Sequence, residues 1–556
     1  MLFDEGTHLN VEGGTLVVQG LPNMPVRFLP NSSSPLKGFY EWIYVNNTPM
    51  RNATVTIQWA EFSFGIKGLY LDGVRRARID DVAFANTGEA GIYMSGCSDV
   101  GVRNCTFTAS DGWGVRAEFS DNLTIARGAF SGCTLSSVEL SDCVSSSVTA
   151  STVQAGSSDK GASLVRSSQV LIDGLVIEYA PVGMALERSD FNTVDSCFFS
   201  KNGVGLVLDS SADNLFRQNN FSACGMPLSF SGGPELARNY FQASNSVDGL
   251  PVRFINEGPL DGVPAGAVVL ANCPASTVSN ITFPPGGGWI IVLYGGGCVL
   301  RDIALFGASS GIAVLGSNGI LIQNVTLSGS SHSGLTMWRT EGIGVRGCRF
   351  ASCQIGMTFL GPMNMSMAGV ALEGNGLDAR LSEGAVVRFL DGSISSVETD
   401  ATSRLDEDYT LRVSVRDKNG SGLAGVEMQV LHGGRQKYAT PHFGGGGLLS
   451  GDSGDFPPVE VTAVTHAASN RTETNTDIEV WDGVNAFGQN PRARRLSAPT
   501  AEVFSATDPG FLAGTVRDPA GDPVADVNLK LDGGAFACTE PGACTGSSRL
   551  GPGPTP

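Results

Sequence analysis

Three residues able to do acid–base chemistry recur at one phase of a repeating pattern. They are Asp173, Asp195 and Arg217, on three successive repeats. Closely spaced carboxylates can share the acid and base work of glycoside hydrolysis. The competing reading is a solvated sheet face on which charges alternate. Asp80 and Asp81 are adjacent but have no further carboxylate, His or Arg partners in the order a hydrolase motif needs, so one is expected outward and one at a bend. Tyr70 and Tyr93 share a phase on neighbouring repeats, with Trp113 and Trp338 at comparable strand ends or loops. Such rings can stack on sugars, although aromatic residues also favour strand surfaces for packing alone.

Other candidates carry less. Met363, Met365 and Met367 alternate in MNMSM, and thioethers suit Cu(I). No His or Cys stands close by, so an apolar strand closing the core is the simpler expectation, and no metal site is assigned. Of the 5 His, only His8 and His332 lie within the repeats, too few for a metal cluster or triad. The 12 Cys are scattered without paired CxxC motifs, which excludes a zinc ribbon. Cys105, Cys197 and Cys348 occupy apolar slots and read as small buried hydrophobes. Sequons at Asn31, Asn52, Asn122, Asn419 and Asn470 support export only weakly. Those at Asn104, Asn280 and Asn324 are expected to be buried.

The elements that position these residues come from an internal repeat. One phrase is Gly-Φ-x-Φ, with Φ apolar: GLYL at Gly68, GIYM at Gly91, GVRA at Gly114, GLVL at Gly205, GIAV at Gly311 and others, at steps of 22 to 24 residues. A second phrase, Φ-x-x-x-x-Φ, starts 11 residues after the first in ten paired cases, from Ile79, Val102 and Ile125 to Val345 and Met367. Length varies only after the second phrase. Inside each phrase the apolar period is two, which predicts strands of three to six residues. Such a unit cannot bury its apolar side alone and must stack on its neighbours. Asp81, Asn104, Asn280, Asp302 and Asn324 stand third in the second phrase, where short polar side chains tolerate a left-handed bend and can bond along the stack. The residue before each should face solvent. The step from Leu236 to Val278 is 42 residues, room for two coils.

Composition agrees. Gly is 73 of 556 residues, about twice the usual ~7%, which disfavours long helices. A net charge of −18 disfavours a nucleic-acid partner, whose affinity rests on Lys and Arg. No run of 18 apolar residues predicts a membrane-spanning helix. The start, MLFDEGTHLNVEGG, has no basic n-region or apolar h-region, so no signal peptide is visible in it.

Turn phrases such as SDNLTI (120–125), ERSDFNTV (187–194) and GSNGILIQNVTL (316–327), with DGLPVRFINEG (248–258), resemble those of right-handed parallel β-helix proteins. They are most similar to the NosD-like and carbohydrate-binding group of secreted proteins. The likeness runs over roughly residues 9–390. It implies an all-β, right-handed parallel β-helix of about 15 coils over residues 1–395. In the same fold, polysaccharide lyases use carboxylates to hold a cation beside an Arg, so the resemblance would give Asp173, Asp195 and Arg217 that role, with calcium. Otherwise no cofactor is expected. The group's usual start implies a strand before Met1 and an export signal upstream.

From about residue 395 the pattern stops. Residues 396–408 are charged and read as a linker. Strands at 409–431 around a DKNG turn, at 459–464 and at 476–481 predict a small β-sandwich over 409–500. A second copy, 505–556, ends too soon and reads as truncated. Both resemble carboxypeptidase-regulatory-like and Ig-like modules, which implies a spacer or binding role. The first expectation is therefore a non-catalytic exported or cell-surface protein whose partner is an extracellular glycan or a surface protein. Short loops between coils leave little room for a deep catalytic cleft. A lyase or hydrolase and a NosD-like metal-site maturation factor are the alternatives.

Overall fold

The structure is a computed structural model. It describes residues 1–507 except 157–158, 256–257, 287, 309, 393, 469 and 484–485, together with short strand segments between 510 and 550. The described chain is all-β and carries a β-solenoid of about 16 turns. No α-helix occurs among the described residues.

Two compact units are present. In the first, residues 1–344 with 349–358 and 373–376, each regular coil supplies three strands. Ala90–Ser95, Val100–Arg103 and Thr106–Thr108 form one such coil, and Trp113–Glu118, Thr124–Ala126 and Ala129–Ser131 the next. Equivalent strands pair in parallel and in register. The first strands make a ten-stranded sheet from Leu9–Glu12 to Met226–Ser231. The bend between second and third strands falls on the predicted position: Asp81, Asn104, Asn280, Asp302 and Asn324 all have φ between 52° and 57°. Asn104 Nδ2 donates to Asp81 at 3.2 Å and Asn324 Nδ2 to Asp302 at 3.1 Å. These Asn are exposed rather than buried, because the left-handed bend turns the side chain outward from the corner.

The glycine of the first phrase has a packing cause. A Cβ on Gly91 would meet the Phe107 ring at 2.6 Å and the Gly114 carbonyl at 2.8 Å; Gly68 and Gly114 stand likewise against Phe84 and Phe130. Those rings form an inner ladder, Phe62–Phe84–Phe107–Phe130, with centroids 4.7–5.1 Å apart and interplanar angles of 16° or less. Where the glycine is replaced by Ser137, the residue at the ring's offset is Val153, the smallest of this series.

Polar ladders that the sequence reading missed run through the buried corners. Asn214 Oδ1 accepts from the Asn192 backbone at 2.8 Å, and Asn214 Nδ2 donates to Asn239 at 3.0 Å. Asn219 and Asn245 repeat the arrangement. The 42-residue step is no simple pair of coils. Leu236, expected in a strand, lies in the 3-10 helix Pro234–Arg238, which Pro234 opens and the Glu235 carboxylate supports by accepting the Gly233 N–H at 2.9 Å. Ser246–Val247 then turns back antiparallel on Leu250–Ile255 before parallel stacking resumes with Ala267–Ala271.

The second unit contains residues 345–348, 359–372 and 377 onward. Met363–Ala368 pairs in parallel with Ala385–Leu390, which pairs with Arg404–Arg416. The segment expected as a linker is therefore largely strand: Val397–Thr399 and the start of Arg404–Arg416. Its charges do not solvate it, because they are paired. Arg388 Nε donates to Asp408 at 2.7 Å, and the buried Glu407 accepts from Tyr409 at 3.0 Å with His466 Nε2 2.6 Å away. The strands flanking the DKNG turn do not form a hairpin. Arg404–Arg416 pairs with Val459–Ala467, whereas Glu427–His432 joins a four-stranded sheet with Arg435–Ala439, Asn475–Trp481 and Arg492–Arg495. Apolar residues of both sheets share one buried cluster around Leu411, Met428, Ile478 and Phe504. The second expected module lies almost wholly outside the described residues.

Candidate functional site

In the six-residue first strands Lys67–Asp72 and Trp113–Glu118 the first, fourth and sixth residues are partly exposed. Parallel register turns these positions into stripes. The fourth position reads Tyr44, Tyr70, Tyr93, Arg116 and Glu139 on five consecutive strands. The sixth carries Asp72 and Glu118, and the first carries Lys67 and Trp113.

The rings touch. Tyr44 and Tyr70 have centroids 4.8 Å apart, and Tyr70 and Tyr93 meet edge to face at 5.0 Å. Trp42 meets Tyr70 edge-on at 6.4 Å, and His8 stacks over Trp42 at 6.1 Å. Lys67 Nζ lies 5.0 Å from the Tyr70 centroid and 4.8 Å from Tyr93, while Glu89 neutralises it at 3.1 Å. The Arg116 guanidinium stacks 4.0 Å over Trp113 and reaches Tyr93 at 5.8 Å. Carboxylates fix the polar ends: Tyr44 donates to Asp72 at 2.8 Å, Tyr93 to Glu118 at 2.6 Å, and Trp113 Nε1 to Glu139 at 3.1 Å. Burial, and then the carboxylate each one bonds, push the Tyr44 and Tyr93 phenols well above the usual tyrosine range, and burial raises Tyr70. The Tyr44 and Tyr93 hydroxyls stay protonated and serve as donors at every physiological pH.

Tyr70, Tyr93 and Trp113 are thus brought together. Trp338 is not: it ends the strand Ser333–Trp338, in register with Leu315, and carries its own cation, Arg339, at 4.8 Å. Sequence reasoning missed Trp42, Tyr44, Lys67 and Arg116. The Thr48–Arg51 turn lengthens the coil after Tyr44 and hides its phase, and the cations show no pattern until the strands are in register.

Asp173, Asp195 and Arg217 do lie in consecutive register positions. Asp195 does not face solvent as expected. It is buried, and Arg217 Nε donates to it at 2.7 Å. Asp80 is likewise buried beneath Arg78, and Ser279 donates to Asp261 at 2.6 Å. A neighbour one coil away, or two residues along the strand, folds over these positions and closes them off. A shallow cleft of about 370 Å³ lies instead over third strands, lined by residues such as Thr106, Ser131, Gln154 and Glu178, and includes none of these candidates. Met363, Met365 and Met367 are buried, so their thioethers belong to the interior, and among the described residues no cluster of three His, Cys, Asp or Glu could hold a metal. This residue set does not fit a copper site.

Residues 43–159 match the family described as right handed beta helix region. Residues 154–253 match the family described as periplasmic copper-binding protein (NosD). Together with the solenoid, these matches support the right-handed β-helix repeat. No curated protein matches the chain. Similar solved structures include the A-module of a mannuronan C-5 epimerase of Azotobacter vinelandii, at 10% identity and TM-score 0.24, covering 71% of this chain and 91% of that one. A Pseudomonas phage phi297 tailspike shares 10% identity at TM-score 0.25, covering 85% and 89%. The catalytic domain of a GH87 alpha-1,3-glucanase shares 10% at 0.23, covering 70% and 68%. Likenesses this loose say nothing about the chemistry of this chain.

Proposed function

We propose that this chain is a non-catalytic, exported or surface-attached β-helix protein that binds a glycan along the outward face of its first-strand sheet. The observation that carries the reading is the in-register succession Tyr44, Tyr70, Tyr93, extended by Arg116 and Trp113. Tyr44 and Tyr93 are held by the carboxylates they bond and Tyr70 is packed between them, so little side-chain entropy is lost when sugar rings stack on them. Trp338 with Arg339 is a second, separate stacking position.

The charge of the face narrows the ligand. Lys67 and Arg116 are already neutralised by Glu89, Glu118 and Glu139, and Asp72 adds a further negative charge. A polyuronate would meet these carboxylates without a free cation to pair with. The ligand is therefore a neutral glycan.

The test is a panel of neutral glycans and polyuronates, with and without calcium, scored for both binding and product. Neutral glycans should bind without product. Tyr70→Ala combined with Tyr93→Ala should weaken binding roughly 5- to 50-fold, as expected for two stacked rings. Unchanged affinity in the double variant eliminates the platform. Product formation that disappears in Asp195→Asn would transfer the function to the stripe of Asp173, Asp195 and Arg217.

A further inference from the structure

Cys273 and Cys298 stand on successive coils with their sulfur atoms 3.0 Å apart, both fully buried. Parallel pairing fixes the two corners around them: Ala271 is in register with Leu293, and Pro274 bridges Gly296. Cys298 Sγ also lies 3.0 Å from the Cys273 carbonyl oxygen, and three other buried thiols of the unit have backbone carbonyls as their partners. Cys105 Sγ lies 3.2 Å from the Arg103 oxygen, Cys143 Sγ 3.3 Å from Ser141 and Cys197 Sγ 3.1 Å from Asp195. Burial pushes those three thiols up, Cys105 and Cys197 to about 12 and Cys143 to about 11, which leaves them inert. Cys273 and Cys298 depart from them in that each has the other's sulfur within hydrogen-bonding distance.

We propose that Cys273 and Cys298 form an intrachain disulfide that ties two coils together once the chain meets a disulfide-bearing oxidant. The thiolate of one of the two cysteines attacks one sulfur of the external disulfide and releases the other sulfur as a thiolate. The second cysteine's sulfur then displaces the remaining external sulfur, forming the Cys273–Cys298 bond. The two cysteine thiols are oxidised, the external disulfide is reduced to two thiols, and the two cysteine protons go to those leaving groups. Because the pair is buried, the exchange takes place while these coils are still closing.

The position gives the link a purpose. It lies in the first coils after Ser246–Val247 and Leu250–Ile255 interrupt the parallel stack, where coil-to-coil pairing has to restart. It also assigns the chain to an oxidising compartment on grounds separate from the glycan face.

The test uses the full chain exported to an oxidising compartment. It is denatured, alkylated without reduction, and cut at aromatic residues. No Lys or Arg lies between the two cysteines, whereas Phe283, Trp289 and Tyr294 do. The expected result is a peptide pair containing Cys273 and Cys298 that separates on reduction. A reductant should also lower the melting midpoint by a few degrees, and Cys273→Ser should abolish that dependence. Alkyl groups on both cysteines in unreduced, folded material would overturn the proposal, as would a crosslink from either one to a different cysteine. The mapping is done on the unaltered chain, so it decides even where the variant fails to fold.

Discussion

The outward position after each second-strand core residue shows how one side chain decides whether its neighbour is reactive. Asp195 alone would be a carboxylate open to solvent and substrate. With Arg217 folded onto it, it becomes half of a buried pair. Arg217→Ala uncovers that carboxylate and leaves it Ser196 as a hydrogen-bond partner at 3.0 Å. The expected loss is about 0.5–1 kcal/mol of unfolding free energy, measured by urea titration, with glycan binding on the tyrosine face unchanged. A carboxylate–guanidinium sequence signal is the same for a site and for a salt bridge, and only geometry separates them.

Strands and corners set their own rules. The first phrase needs Gly because a Cβ would collide with the phenylalanine ladder and with the next coil's carbonyl. Gly91→Ala should cost about 1–3 kcal/mol by overpacking. Phe107→Val in the same chain should recover part of that loss, because Ser137 already coexists with Val153 at the matching positions. A double-mutant cycle in urea showing simple additivity would refute this pairing. Asn214→Ala removes a buried amide that bonds both coil neighbours, leaving backbone groups unsatisfied. A loss of about 2–4 kcal/mol in thermal or urea unfolding is expected.

Across the molecule, net charge and local pairing act differently. A chain of charge −18 repels polyanions, so neutral-glycan binding should be nearly unchanged between low salt and physiological salt. Strong weakening with salt, seen by calorimetry, would instead mean that Lys67 or Arg116 is engaging an anion. Acid should act through depressed carboxyls. Burial opposes ionisation of Glu502, but Arg494 and Arg492 outweigh it and hold its pKa below the usual glutamate range; Arg166 does the same for Asp142. A depressed folded-state pKa means that the stabilisation is full above the unfolded value and fades as pH falls through the folded one. Unfolding midpoints should therefore hold steady down to about pH 4.5 and decline below it, and Glu502→Gln should flatten part of that decline.

The sequence by itself determined the repeat, its strands, the left-handed bends at Asp81 and Asn104, and the phase shared by Tyr70 and Tyr93. Each of these is a local period or a backbone requirement, visible in one stretch of chain. Tertiary structure alone decided that Arg116 bridges Tyr93 and Trp113, that Asp195 is closed off, that Asn214 and Asn239 form an inner ladder, and that the charged segment around Glu407 is strand. Each depends on which side chain of the adjacent coil or sheet lies alongside, and variable loop lengths place that partner at a distance in sequence that no fixed period encodes.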